Sequence, residues 1–567
     1  MKVIYVFLIL MTPWIGLGSV ARVKDLNRIA VPAEKNAMAP YLLKDGNALW
    51  LTWLESKADD KNQTLVKVAR WQNSKWEQNS TAVTDSKVMR NWADFPSLQK
   101  DGSGNLYLHW LKSSDDKSAY SYSAQISRSS DGGKTWKDLG VLHKDKSTNA
   151  EHGFVTMVAE GKGVRAFWLD GGQAGQSHDA HGAMELRTAR IDEKISDEQL
   201  VDPNVCSCCG TTSIKIGDRP VVLYRGRTKG EVREIQSATW VGKAWQSSEV
   251  SKGDWEIHGC PVNGPDADGD GQNTVMAWYS GGGKNAGVNA IFLDSNGKPS
   301  GKNIPIDDFL QGSLGRVQVL LLNENEALVT WMKSKDNGHA DLYGRRVHRD
   351  GRRGTPVIIS EIGGSRGVGF PQMQKVDNKL VIAWTKAGDK EYDTSGIEMV
   401  SFNFTEIPAI EKKDAPQVSA PVAAIAKGEF IPDFSAKDIE RNDVKLSTYR
   451  GKTILLNFWA SWCDACIEEF SLFNELEKKY ASKGLKIILM NVDEEEDWAT
   501  ALKLIAKTKL ASTVWRDLDN KTQPIFGFSA LPYTLIIDKS LAVRATMVGS
   551  LLPNRKDLEE RLEKMLK

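Results

Sequence analysis

Leu51-Thr52-Trp53, a short apolar strand that ends on an aromatic ring, returns six times along the chain. The later copies are Leu108-His109-Trp110, Ala166-Phe167-Trp168, Val222-Leu223-Tyr224, Met276-Ala277-Trp278, Val329-Thr330-Trp331 and Ile382-Ala383-Trp384. Successive aromatic positions stand 57, 58, 56, 54, 53 and 53 residues apart. So constant a period marks one structural unit repeated. Each unit places an apolar strand before the landmark, as in Ala93 to Leu98, Gly153 to Val158 and Gly315 to Leu321. Later strands follow, divided by Gly, Asn and Asp turns. Four short antiparallel strands in a repeat of ~55 residues describe a β-propeller blade, whose faces are covered by its neighbours so that no unit need be stable alone. Seven landmarks give seven blades over residues 22–407, or six if a terminal unit completes another.

Working outward, 567 residues exceed what one hydrophobic core supports, so a multidomain chain is expected. Charge is balanced, 74 Lys+Arg against 73 Asp+Glu, which leaves no basic footprint for nucleic acid. Residues 1–21 carry Lys2, an apolar run from Val3 to about Leu17, and Ser19-Val20-Ala21, the pattern of a signal peptide cleaved after Ala21. An N-terminal anchor is the alternative, although the run is short of a span and contains Pro13. No other segment reaches spanning length, so the mature protein is expected in the periplasm or secreted, without a membrane span.

Six cysteines are too few for a disulfide scaffold at this length. Four of them lie in the repeats. His152 and Cys208 each stand 16 residues before their own landmark, and Cys260 stands 18 before Trp278, with His258 two residues earlier. First strands of consecutive blades line the channel, so Cys206, Cys208, Cys209, Cys260, His258 and His152 are expected to converge at one channel mouth. Three readings compete: structural disulfides, a soft-metal site for copper(I) or zinc, and a redox-active pair that exchanges with the C-terminal domain. The loop Asp266 to Gly271 has calcium-loop spacing, but Ala277 stands where the last carboxylate belongs, so a hairpin turn is expected.

Ser129-Ser130-Asp131-Gly132-Gly133-Lys134-Thr135-Trp136 resembles the Asp-box hairpin of sialidase-like propellers, in which Ser and Asp tie the turn and Trp packs between blades. Glu151-His152-Gly153-Phe154-Val155, Cys206-Ser207-Cys208-Cys209 and Gly259-Cys260-Pro261-Val262-Asn263-Gly264-Pro265 resemble exported sialidase-like propellers. The resemblance concerns fold. No Phe/Tyr-Arg-Ile-Pro segment opens the repeats, so a glycosidase ranks third among the functional readings.

Residues 408–427 turn to Pro, Ala, Lys and Val without alternation, a semi-extended linker. Residues 428–567 then alternate strands and helices: a strand Thr453 to Trp459, a helix from about Asp464 to Ala481, a strand Leu485 to Val492, a helix near Asp497 to Lys507, strands Tyr533 to Ile537 and Ala542 to Val548, and a helix from Asn554. Between the first strand and helix lies Asn457-Phe458-Trp459-Ala460-Ser461-Trp462-Cys463-Asp464-Ala465-Cys466. With Gly428, Pro432-Asp433-Phe434, Arg450-Gly451-Lys452 and Leu531-Pro532, this region resembles the TlpA/ResA branch of thioredoxin-like proteins. The resemblance implies a thiol:disulfide oxidoreductase that needs no cofactor, with Cys463 as nucleophile, Cys466 as resolving thiol and Pro532 as a cis-proline. Trp462 and Leu531 would help position the substrate.

A protein disulfide is the implied substrate, and a membrane protein the implied electron donor. Asp464 beside Cys463 disfavours the thiolate, so the pair is expected to be reducing. Asn457 replaces the buried Asp of thioredoxin, which removes that proton shuttle, and Phe470-Ser471 replaces the usual Met-Pro, which should remove a helix kink. No proline lies in Phe458 to Trp462, which argues against peroxidase chemistry. The leading reading is an exported reductant on a partner-positioning propeller, active in metal-site or cytochrome maturation. The alternative is a ligand-, copper- or zinc-binding propeller with an accessory redox domain.

Overall fold

Landmark strands sit second in every blade. The computed structural model describes residues 20–566 apart from 35, 115–120, 146–149, 173–183, 258, 260, 308–311, 336–337, 388–393, 411–429, 432, 462, 494–497, 518–521, 523–525 and 527–530. Most of the signal sequence and linker, together with Gly428, Pro432, Trp462, His258 and Cys260, therefore lies outside the described residues.

Seven four-stranded antiparallel sheets follow one another, confirming seven blades. Blade 1 comprises Met38–Asp45, Ala48–Lys57, Asp60–Gln72 and Lys75–Asp85; blade 3 comprises His152–Glu160, Gly163–Asp170, Met184–Ile191 and Ile195–Val205. Blade 4 comprises Thr212–Ile216, Arg219–Arg225, Ile235–Val241 and Ala244–Glu249, and blade 5 runs from Asp266–Gly269 to Ile304–Pro305. Blade 7 takes three strands from the end of the repeat region, Gln372–Val376, Lys379–Ala387 and Thr394–Asn403, and its outermost strand from the beginning, Asn27–Arg28. Asn27 pairs with Ser401 and Arg28 with Val400, so the two ends of the ring are held by one sheet.

First strands of all seven blades surround a cavity of about 230 Å³, with Leu42, Leu98, Thr156, Ser213, Asp266, Gln318 and Gln372 on its wall. This is the channel expected from the repeat. Polar side chains there bond one blade to the next: Gln99 Nε2 donates to Met157 O at 3.0 Å, Thr156 Oγ1 meets Ser213 Oγ at 2.9 Å, and Gln318 Oε1 accepts Met373 N at 3.1 Å. Asp266 and Asp268 accept Val319 N and Leu321 N at 2.7 and 2.8 Å. Burial pushes the Asp266 carboxyl up to about 7. The turn that follows is a hairpin, closed by Asp270 Oδ1 accepting Asn273 N at 2.7 Å.

All seven landmark rings are buried. Trp53 Nε1 donates to Glu55 at 2.7 Å and Trp168 Nε1 to Asp170 at 2.8 Å, so an acid two residues on satisfies the indole inside the core. The Ser129 hairpin is tied as its sequence suggests: Ser129 Oγ accepts Gly133 N at 2.8 Å, and Asp131 accepts Thr135 N at 3.0 Å. Trp136 packs with residues of blades 1 and 2. One boundary differs from expectation. Ala93 to Pro96 is not strand, because Asn91 Oδ1 gathers the amides of Ala93 and Asp94 at 2.9 and 3.3 Å, and the strand starts at Ser97.

The C-terminal domain is a seven-stranded sheet in the order Asp443–Lys445, Ser435–Asp438, Thr513–Arg516, Leu485–Asn491, Thr453–Trp459, Tyr533–Ile537, Val543–Val548. Its three middle strands, at 453, 485 and 513, are mutually parallel. Helices Phe470–Tyr480, Trp498–Thr508 and Arg555–Leu566 accompany it, which is the thioredoxin-like layer arrangement. No helix among the described residues is long and apolar enough to cross a membrane.

Trp168→Ala removes a buried indole and strips Asp170 of a donor, so it should lower propeller stability by about 3–5 kcal/mol in denaturant unfolding. The half-exposed Trp240→Ala should cost under about 1 kcal/mol. Equal costs would show that the landmark rings do not carry the blade contacts.

Candidate active site

Thr453–Trp459 is wholly buried between a parallel and an antiparallel neighbour, and its rigid end delivers the chain to the cysteines. Asp493 fixes the exit: both carboxylate oxygens accept Ser461 N at 2.9 Å, and Asn491 Nδ2 donates to Oδ2 at 2.8 Å. Cys463 then caps the helix Asp464–Glu468, its Sγ accepting Cys466 N at 3.3 Å. Cys463 and Cys466 are joined by a disulfide, with Cα atoms 5.3 Å apart. Cys463 is 8% exposed and Cys466 is fully buried, so only the first sulfur faces a partner.

Leu531–Pro532 is a cis peptide, as expected. Pro532 O accepts Gly549 N at 2.8 Å, which ties it to the end of Val543–Val548. Leu531 is half-buried against the core around the cysteines. The side chain of Asp464 lies outside the described residues.

The helix after the cysteines is interrupted, correcting the expected loss of a kink. Asp464–Glu468 and Phe470–Tyr480 are separate segments, and Glu469 N bonds back only three residues, to Cys466 O at 3.3 Å. The junction residue is the buried Glu469, and no proline is present there. Its carboxylate is pulled inward, where Oε1 accepts Leu551 N, while Phe470 packs edge-on against Trp459 at 4.8 Å.

Glu469 is a buried acid beside Asn457. Burial pushes its carboxyl up to about 8, against the lowering hydrogen bond from Leu551 N. Asn457 gives its amide to Thr534 Oγ1 at 2.9 Å, and among the described residues neither Asn457 Oδ1 nor Glu469 Oε2 finds a donor in hydrogen-bond geometry. A proton on Glu469 supplies one. The domain thus places a carboxyl of raised pKa one helical turn beyond Cys466. Sequence reasoning missed this residue; an acid on the inward face of a helix, three residues after the second cysteine, was the available signal.

In the propeller the structure groups Cys206, Cys208 and Cys209, whose sulfurs all lie within 4.8 Å of one another. Cys206 and Cys209 are free, buried thiols 2.6 Å apart, whereas Cys208 is disulfide-bonded and half-exposed. That leaves two thiols for any metal. Burial disfavours the Cys206 thiolate, but the Cys209 thiol and the Arg233 guanidinium, 3.3 Å from the sulfur, bring the Cys206 thiol below its usual range. Burial and the neighbouring Cys206 push Cys209 up. His152 is not brought to these sulfurs: its Nε2 lies 3.1 Å from Asp145 and 3.6 Å from Asp170, and its ring stacks on His143 at 3.6 Å. Asp170 is already committed to Trp168 on the second strand, which draws the imidazole that way.

Tyr122, Glu151 and Asp94 form a further buried group. Tyr122 OH donates to Glu151 Oε1, and Asp94 Oδ2 accepts Phe154 N at 2.7 Å. Burial pushes the carboxyls of Glu151 and Asp94 up to about 7 and about 8. Nearby arginines are spent on backbone: Arg225 donates to Asn263 O, Arg233 O and Tyr279 O, and Arg316 to Gly369 O and Ser365 O. Among the described residues this supplies no arginine grip for a carboxylated sugar.

The AhpC/TSA family profile matches residues 428–546. The thiol-disulfide oxidoreductase ResA of Geobacillus thermodenitrificans is 32% identical over 140 residues, covering 25% of this chain and 78% of the relative. Through its C-terminal domain the chain belongs to the ResA family of thiol-disulfide oxidoreductases. ResA of Bacillus thuringiensis is 31% identical over 138 residues, 24% of this chain and 78% of its own length. A putative thiol:disulfide interchange protein DsbE from Chlorobium tepidum, of known crystal structure, is 30% identical, covering 25% of this chain and 99% of that one at a TM-score of 0.24. These likenesses cover about a quarter of the chain.

Because the Glu469 carboxyl is raised from the ordinary range near 4.5 to about 8, its contribution to stability is complete below pH 4.5 and is lost as pH rises towards and through 8. Glu469→Gln should abolish that loss, gaining roughly 2–4 kcal/mol relative to wild type between pH 5 and pH 9 in urea unfolding. Parallel pH profiles for the two proteins would show that the carboxyl is not held neutral.

Proposed function

We propose that the protein is an exported disulfide reductant whose propeller positions the partner. Cys463 attacks a disulfide of the partner as thiolate, and the leaving sulfur takes up a proton. Cys466 then attacks Cys463, releasing the second partner thiol and leaving the Cys463–Cys466 disulfide. A membrane donor restores the dithiol. The observation that carries this reading is the pair itself: Cys463, 8% exposed at the start of a helix, joined to the fully buried Cys466 in a domain similar to ResA.

Glu469, neutral near pH 7, holds the proton that the buried Cys466 requires when it leaves as a thiolate. Support for a positioning propeller comes from Gly259, between blades 4 and 5: a Cβ built there would lie 3.9 Å from the Cα of Gly549, the residue bonded to Pro532. Glu256 pairs with Arg561 at 3.7 Å in the same region. Apocytochrome and metal-site cysteines are the class of substrate that fits an exported reductant.

Insulin-disulfide reduction should fall at least ~100-fold in Cys463→Ser, the loss expected of a nucleophile. Cys466→Ser should instead retain the natural partner as a mixed disulfide on Cys463. Full activity of Cys463→Ser would sink the reading. Mass spectrometry of exported protein should find an N-terminus at Arg22; retention of residues 1–21 would remove export by cleavage.

A further inference from the structure

Cys206-Ser207-Cys208-Cys209 contains a second pair with two residues between its cysteines, Cys206 and Cys209. The loop follows the last strand of blade 3, Ile195–Val205, and precedes the first strand of blade 4, Thr212–Ile216. Their sulfurs stand 2.6 Å apart, inside van der Waals contact, so bond formation needs only a small side-chain shift. Arg233 Nη1 donates to Cys206 Sγ at 3.3 Å, and Arg233 is itself held by Glu231, so a fixed positive charge addresses one sulfur of the two. Both thiols are 1% exposed, which puts them out of reach of a protein substrate. Cys208, between them in sequence, is half-exposed and already in a disulfide, with its sulfur within 4.8 Å of both.

We propose that Cys206 and Cys209 form a second redox couple, buried in the propeller, that exchanges with protein partners through the disulfide of Cys208. Cys206 thiolate attacks Cys208 Sγ, breaking the existing bond and releasing its former partner as a thiolate that takes one proton. Cys209 then attacks Cys206, releasing Cys208, which takes the second. Two thiols are oxidised to one disulfide, one disulfide is reduced to two thiols, and no outside oxidant is consumed. The ligand class is therefore a disulfide or dithiol presented to Cys208. The loop abuts the chain that runs on from Gly259 beside Gly549, since a Cβ on Gly264 would meet Gly210 O.

The test uses the full chain with Cys463→Ser and Cys466→Ser, so its outcome is independent of the C-terminal site. In Cys208→Ser added to that background, equilibration across a roughly 10⁴-fold range of dithiothreitol ratios, acid quenching and peptide mass spectrometry should show the 206–209 peptide becoming two hydrogens lighter as conditions turn oxidising. In Cys209→Ser, the same peptide should be trapped with Cys206 joined to Cys208 and the former partner of Cys208 free. A peptide that keeps its mass at every ratio, or Cys206 that stays a thiol in Cys209→Ser, would overturn the proposal. So would thiols in the otherwise unmodified propeller that alkylate only after a chelator is added, which would mark a bound metal instead.

Discussion

Seven strand edges face one channel, and each carries backbone groups that no further strand can pair. A blade can satisfy its outer edge with water, but the inner edges crowd together where water is scarce, and an unpaired buried amide or carbonyl costs as much as a lost hydrogen bond. The protein answers with side chains. Gln99, Thr156, Asp266, Asp268 and Gln318 each reach the first strand of the next blade. Gln374 Nε2 carries the pattern from blade 7 back to Leu42 O of blade 1 at 3.4 Å. These contacts tie each sheet to the next beside the channel, one strand inside the buried aromatic landmarks.

Much of this was legible because repetition amplifies a weak local signal. One apolar triplet ending on tryptophan means little; seven at a near-constant period mark the strand and favour seven blades over six, which the seven sheets bear out. The C-terminal domain was legible for the opposite reason, a dense run of specific residues around Cys463 and Cys466. What stayed hidden depends on contacts between distant positions. The hairpin Ser435–Asp438 with Asp443–Lys445 lacks a strong apolar alternation, being an exposed edge. Asp493 reads as an ordinary loop acid until the fold sets it under Ser461. His152 has the same offset from its landmark as Cys208, yet shared register fixes only backbone placement, and Asp145 and Asp170 decide where the imidazole goes.

Buried acids recur across both domains and do different work. Asp266 and Asp268 accept strand amides across a blade boundary, Glu55 and Asp170 satisfy indoles, and Glu469 accepts the amide of Leu551 while burial raises its pKa. Each is tolerated because it has a donor or a proton of its own; an unpaired carboxylate in the same place would cost several kcal/mol, on the order of the stability of a whole domain. A substitution that keeps size but deletes the acceptor therefore harms such positions more than a surface change of equal chemistry.

The closing strand Asn27–Arg28 has a consequence in time. It pairs with residues 400 and 401, so the ring cannot be sealed until almost the entire repeat region has been synthesised. Until then the last strand of blade 7 is an open edge, and contacts this distant along the chain form slowly. Cys206 and Cys209 lie midway through the repeats, so a long interval separates their synthesis from the ring's completion. Both thiols are therefore made well before the ring can close around them.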